Sequence, residues 1–161
     1  MVLDVTNKAN VSLLSTTPYE NLAYATQGWL TDDHRYFLLT DEVDELAEGI
    51  DTTVYIFDVT NLTSPAFSSK WVSDLPATDH TVYVRGNYAF LAAYSSGLRI
   101  LDLTNIDQKQ ITEAGYFDTF DPHNNPGYSG VRNIYPFYPS GVVVTSGTGL
   151  HILHPDARFT R

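Results

Sequence analysis

Val2-Leu3-Asp4-Val5-Thr6-Asn7, Ile56-Phe57-Asp58-Val59-Thr60-Asn61 and Ile100-Leu101-Asp102-Leu103-Thr104-Asn105 are near copies of one another. Their aspartates stand 54 and 44 residues apart. A degraded fourth copy, Gly149-Leu150-His151-Ile152-Leu153, matches Gly97-Leu98-Arg99-Ile100-Leu101 at an offset of 52. The three full copies are short apolar, β-branched runs that end in Asp-x-Thr-Asn. Apolar β-branched residues favour strands, and the polar tail favours a turn. Periods of about 40–50 residues filled with short strands point to the blades of a β-propeller.

The third repeat shows the unit most clearly. Strands are expected at 81–84, 88–94, 98–103 and 111–119. Arg85-Gly86-Asn87 and Ser95-Ser96-Gly97 serve as turns, because Gly and Asn tolerate the backbone that tight hairpins need. The second repeat has strands at 24–30, 36–40, 54–60 and 67–73, with an acidic insertion in its middle. The fourth has 131–137, 142–146 and 150–153, with Pro139-Ser140-Gly141 as a turn. The first has 2–6 and 11–15. The expected fold is all-β: a β-propeller fragment of about three four-stranded antiparallel blades plus partial blades at the ends. It forms one domain with blades near 1–20 (partial), 22–75, 78–120 and 130–154 (partial). Propellers close with about 4–8 blades, so one copy is not expected to close a ring. A homodimer that completes the ring by two-fold symmetry is the expected assembly.

Composition removes several classes of function. The 161 residues carry 19 acids and 9 bases, a net charge of −10. That opposes nucleic-acid binding, which needs a basic face. Cysteine is absent, so disulfides and thiolate metal sites are excluded. No apolar run approaches the roughly 20 residues of a membrane span, so no membrane insertion is expected. Met1-Val2-Leu3-Asp4 reads as a strand rather than a signal peptide, and the chain is expected to belong to a longer, exported protein.

Gln27-Gly28-Trp29-Leu30-Thr31, Leu38-Leu39-Thr40-Asp41-Glu42, Gly97-Leu98-Arg99-Ile100-Leu101-Asp102-Leu103 and Tyr116-Phe117-Asp118-Thr119 resemble the LVIVD-repeat propellers. More narrowly, they resemble the choice-of-anchor B family of bacterial surface proteins. Tyr135-Pro136-Phe137-Tyr138-Pro139-Ser140-Gly141 is similar to that family's closing blade. The resemblance spans about Leu22 to Leu153. It implies an extracellular or cell-surface propeller and no agreed reaction. The family often has histidines where this chain has Thr26 and Val82, so a histidine cluster at the channel mouth is depleted here.

Candidate chemistry falls in three places. Asp41, Glu42, Asp44 and Glu45 lie in a stretch from Asp32 to Asp51 with eight acids and Arg35 as the one Lys or Arg. Carboxylates suit calcium, which makes these four the candidate calcium ligands. The segment lacks an EF-hand's alternating spacing, and a solvated acidic loop with at most one helical turn is the plainer reading. Asp79 and His80 open the first strand of their blade. With Gln27 and Arg132 they are candidate ligand-binding residues at the channel mouth. Trp29, Trp71 and the tyrosines could stack on sugars, although packing between blades is the commoner use of aromatics.

Enzyme signatures are lacking. Gly127-Tyr128-Ser129-Gly130-Val131 misses the second glycine spacing of a nucleophile elbow, and no phosphate loop or dinucleotide fingerprint is present. The expected function is therefore non-catalytic binding or scaffolding, with no cofactor unless calcium, and with a protein or glycan as ligand. A calcium- or carbohydrate-binding module is the alternative, and a propeller hydrolase with a carboxylate pair the third reading.

Overall fold

The computed structural model describes residues 1–120, 122–139, 141–147 and 149–160. Ser140, in the expected turn after Pro139, lies outside them. Among the described residues, thirteen strands form four antiparallel sheets. Blade 1 is the hairpin β1 (Val2–Asp4) and β2 (Ser12–Ser15). Blade 2 comprises β3 (Ala25–Leu30), β4 (Tyr36–Asp41), β5 (Thr53–Asp58) and β6 (Ala66–Val72). Blade 3 comprises β7 (Thr81–Arg85), β8 (Tyr88–Ala93), β9 (Gly97–Asn105) and β10 (Gln110–Phe117). Blade 4 has β11 (Val131–Tyr135), β12 (Val142–Ser146) and β13 (Gly149–Leu153). Each sheet runs in chain order as a meander, as the repeat predicts.

Alternation along the strands explains how the blades stack. Successive side chains point to opposite faces. In blade 3, Val82, Val84, Ala89, Leu91, Ala93, Leu101 and Leu103 share one face and pack on Tyr36, Leu38, Val54, Ile56 and Trp71 of blade 2. The interleaved residues Phe90, Ala92, Leu98 and Ile100 pack on Val131, Ile134, Val142 and Val144 of blade 4. Blade 3 is thus apolar on both sides. Burying a large aliphatic side chain contributes about 1.5–3 kcal/mol, against about 1 kcal/mol for a net hydrogen bond. The blade-to-blade faces therefore dominate the stability of the arc. Trp71 is spent in the first of these interfaces and is not free to stack on a sugar.

The turns follow the sequence. Val84 and Arg85 pair with Ala89 and Tyr88 across a two-residue loop. Gly86 sits there at φ +57°, which suits the first position of a type II′ turn. Asp4, Asp58 and Asp102 each accept the backbone N–H of the threonine two residues on, at 2.9, 2.9 and 2.8 Å. The repeated Asp-x-Thr motif is thus a turn pin in all three copies. The Thr60 side chain and N–H hold the Asp58 carboxyl below its usual range.

The acidic insertion departs from expectation. Asp44–Glu48 forms one short helix, α1, whose first two acids, Asp44 and Glu45, face inward while Glu48 is exposed. Asp41, Asp44 and Glu45 are 0%, 0% and 1% exposed, so this is not a solvated loop. Sequence patterning looks for an apolar stripe, and here the buried side chains of the helix are carboxyls.

Gly97 offers a test of how closely blade 3 is drawn together. Its φ is +85°, and a Cβ there would lie 2.3 Å from the Phe117 carbonyl oxygen. Both the backbone and the space demand glycine. Gly97→Ala is expected to cost about 1–3 kcal/mol, read as a lowered urea midpoint with an unchanged slope.

Candidate functional site

The three inner strands place the site. β3 lies beside β7, and β7 beside β11, so residues at their ends converge from three blades. Thr40, on β4, reaches across this junction: its hydroxyl lies 2.9 Å from the Gln27 carbonyl and 2.8 Å from that of His80. Gln27 is a strap of the same kind. Its Oε1 accepts the Val82 N–H at 2.6 Å and its Nε2 donates to the Gly28 carbonyl. Both ends of its amide are engaged, so Gln27 joins two blades rather than presenting itself to a ligand.

His80 sits between blades 2 and 4. Its Nδ1 is 2.6 Å from the Arg132 carbonyl oxygen. A carbonyl only accepts, so Nδ1 carries the proton of this bond and the ring's orientation is set. Nε2 then faces Glu42 Oε1 at 3.6 Å. Glu42 also accepts the Tyr94 hydroxyl at 2.6 Å. The Tyr94 ring packs on His80, with centroids 5.4 Å apart, and on Tyr128 at 5.5 Å. Burial, then the bond to Glu42, raises the Tyr94 phenol above its ordinary range, opposed by the positive charge of Arg132. The result is a partly open cluster: Glu42 from the acidic insertion, His80 and Tyr94 from blade 3, and Arg132 from blade 4. Glu42 and His80 each keep 16% of their side chains exposed, and Tyr128 and Arg132 are open to solvent.

Asp79 does not belong to this cluster. It is 0% exposed, and its N–H donates to Glu45 rather than to any member of the cluster. The four acids expected to hold calcium are also separated by their partners. Asp41 accepts the Tyr19 hydroxyl at 2.7 Å and the N–H groups of Ala23 and Tyr24. Asp44 accepts the Tyr55 hydroxyl at 2.8 Å. Glu45 accepts the Asp79 N–H at 3.2 Å, and Glu42 faces His80. Among the described residues, no three His, Asp or Glu side chains are grouped to hold a metal ion. Tyr94 and Tyr128 were missed by sequence reasoning. Tyr94 merely continues the apolar run of β8, and nothing in its neighbours marks the partner that its hydroxyl finds 52 residues away.

Trp29 belongs to a second feature of the inner strands. It packs on Tyr83 at 5.0 Å and on Phe137 at 5.8 Å, and Phe137 on Tyr135 at 5.6 Å. Each of three blades contributes a ring. Trp29 stays 39% exposed, so this wall offers aromatic surface.

The family model for the LVIVD repeat matches residues 79–119, which are blade 3 together with Asp79 and His80. No curated protein matches the chain. The match supports a β-repeat domain and places His80 at the start of the repeat.

Tyr94→Phe removes the donor to Glu42 while keeping the ring. A bond to a charged group contributes roughly 1.5–3 kcal/mol, so a loss of stability within that range is expected in chemical denaturation. A change near zero would show that water replaces the phenol and that Glu42 is not held by it.

Proposed function

We propose that this chain is a non-catalytic binding or scaffolding β-propeller domain of an exported, surface-associated bacterial protein. Its ligand site is the mouth formed by Glu42, His80, Tyr94, Tyr128 and Arg132. The observation that carries this reading is the convergence of these side chains from three structural units, with acceptor, donor and ring face together. That combination suits a glycan. Sugar hydroxyls both donate and accept, and an exposed tyrosine ring can cover a sugar's apolar face. The Tyr94 phenol, raised above its ordinary range, keeps its proton at neutral pH and is a poor nucleophile, which favours binding over turnover. The surface location rests on the resemblance to the choice-of-anchor B proteins. The proposal requires no cofactor.

A glycan array followed by calorimetry tests it. Arg132→Ala, at an exposed side chain, is expected to weaken binding of any hit at least tenfold while leaving the melting temperature alone. Binding that survives both Arg132→Ala and His80→Ala would move the site elsewhere.

We also propose that a second copy of the chain is a partner. A cleft of about 730 Å³ between the N-terminal hairpin and blade 2 is lined by Leu3, Leu22, Leu30, Phe37, Leu39 and Phe57. On blade 4, Leu150 and Ile152 are exposed. These are the residue types that meet in the interfaces on either side of blade 3, and apolar patches of this kind mark contact surfaces. Light scattering after gel filtration is expected to give twice the 18.0 kDa chain mass. A mass of one chain at tens of micromolar would remove the dimer.

A further inference from the structure

The inner strands of three blades carry equivalent stretches: Thr26-Gln27-Gly28-Trp29 on β3, His80-Thr81-Val82-Tyr83 into β7, and Arg132-Asn133-Ile134-Tyr135 on β11. Each reads polar, polar, small or aliphatic, aromatic. Strand register supports the equivalence. β3 slips against its neighbour between Ala25 and Gln27, and β11 between Val131 and Asn133. Thr26 and Arg132 are thus the extra residues of two matching bulges. Bulges re-aim side chains and recur beside binding sites. In the remaining stretch, His80 takes the same place at the head of β7, its N–H bonded to the Ala92 carbonyl at 2.9 Å.

Contacts join these stretches in tiers. At the mouth, His80 Nδ1 meets the Arg132 carbonyl. In the next tier, Gln27 accepts the Val82 N–H, and the Thr81 hydroxyl donates to Asn133 Oδ1 at 3.3 Å. In the last, Trp29 packs on Tyr83, and Phe137 touches Trp29, Tyr83 and Tyr135. The inner strands therefore run from a charged mouth, past an amide and hydroxyl tier, to a band of rings. From His80 to Tyr83 is three steps of extended backbone, about 10 Å.

Both ends keep unused binding capacity. Among the described residues, the Arg132 guanidinium and Asn133 Nδ2 have no hydrogen-bond partner, and both side chains are exposed. At the far end, Trp29 is 39% and Tyr135 52% exposed. A cavity of about 420 Å³ opens beside Trp29 and is lined also by Asp32 and His34. One Asp32 oxygen accepts the Gly86 N–H at 3.0 Å, and the other has no protein donor among the described residues. An exposed ring beside a carboxylate suits a sugar, whose C–H face covers the ring while a hydroxyl donates to the acid. The mouth offers the same pair in Tyr128 and Glu42. We infer that the mouth and the Trp29 end are two subsites of one elongated site, and that its ligand is a linear glycan of at least two units laid along the inner strands. This rests on reading the mouth as the ligand site. One sugar ring is shorter than the roughly 10 Å between the ends, so a monosaccharide fills only one of them. A purely apolar chain fits worse, because it would cover Asn133 and Asp32 without bonding them.

The chain's two tryptophans make the test direct. Trp71 is 7% exposed and packed between blades, so a ligand at the far end changes the emission of Trp29 alone. Cello-, chito- and xylo-oligosaccharides, from monosaccharide to hexamer, are titrated into the whole chain by fluorescence and by calorimetry. Affinity is expected to rise with length and then level off, with Trp29 emission changing only for oligomers that reach both ends. Trp29→Ala is expected to weaken the longer oligomers about tenfold, as loss of an aromatic stacking contact does, and to leave a monosaccharide at the mouth bound as before. Trp29→Phe keeps a ring and should recover most of that affinity in calorimetry, which separates lost stacking from a damaged fold. Arg132→Ala should weaken every length. Binding that ignores length and leaves Trp29 emission unchanged overturns the elongated site and spares the mouth. Length-dependent binding that Trp29→Ala abolishes and Arg132→Ala leaves intact removes the mouth reading, and the two-ended site with it. No binding in any series overturns both.

Discussion

A four-stranded blade with two apolar faces is insoluble by itself, and the architecture follows from covering both. Blade 3 has Ala89, Leu91 and Ala93 on one side of β8 and Phe90 and Ala92 on the other, all buried. No alternation of polar and apolar residues is possible there, because neither face meets water. Stacking is the solution available to a meander of this kind. Once blades stack, their inner strands β3, β7 and β11 lie side by side. Side chains at the ends of those strands are then forced together, whatever their separation in the chain.

The polar groups caught in this stacking are treated in two different ways. At Asp41, donors are supplied in full: the Tyr19 hydroxyl and two backbone N–H groups. That aspartate ties the segment from blade 1 to the end of β4, an ordinary structural use of a buried carboxylate. Asp44 and Glu45, three and four residues on, each keep one carboxyl oxygen without a partner, and Asp79, before β7, keeps two. The contrast with Asp41 argues that the shortage is a local property of α1 and the segment before β7, not of acidic residues in this fold. It falls beside Glu42 and His80 along the chain, the two side chains that face each other at the mouth. Buried polar groups that are only partly satisfied concentrate where a structure does something beyond holding itself together.

The repeat made the architecture legible. An Asp-x-Thr-Asn signature marks the end of a strand in a particular place of the meander, and the aspartate's role as a turn pin needs only the residue two positions on. Gly86 and Gly97 mark turns for equally local reasons. His80 was also legible, because its position at the start of a blade's first strand places it at the channel. Its partners were not. Glu42 and Tyr94 lie in runs that read as an acidic loop and an apolar strand. The pairs they form, Glu42 with Tyr94 and His80 with the Arg132 carbonyl, each span 52 residues.

By itself, then, the sequence determined the strands, their turns, their grouping into blades and the absence of cysteine chemistry. Those depend on alternation and on contacts within a few residues, which a linear pattern records directly. Only the tertiary structure decided which acids are buried, that α1 turns Asp44 and Glu45 inward, that Gln27 is a strap, and that Asp79 is buried while its neighbour His80 faces Glu42. Burial is set by what another blade brings to the same place. The Asp79 N–H reaches the Glu45 carboxyl because two blades stack, and nothing in the order of residues between them carries that proximity.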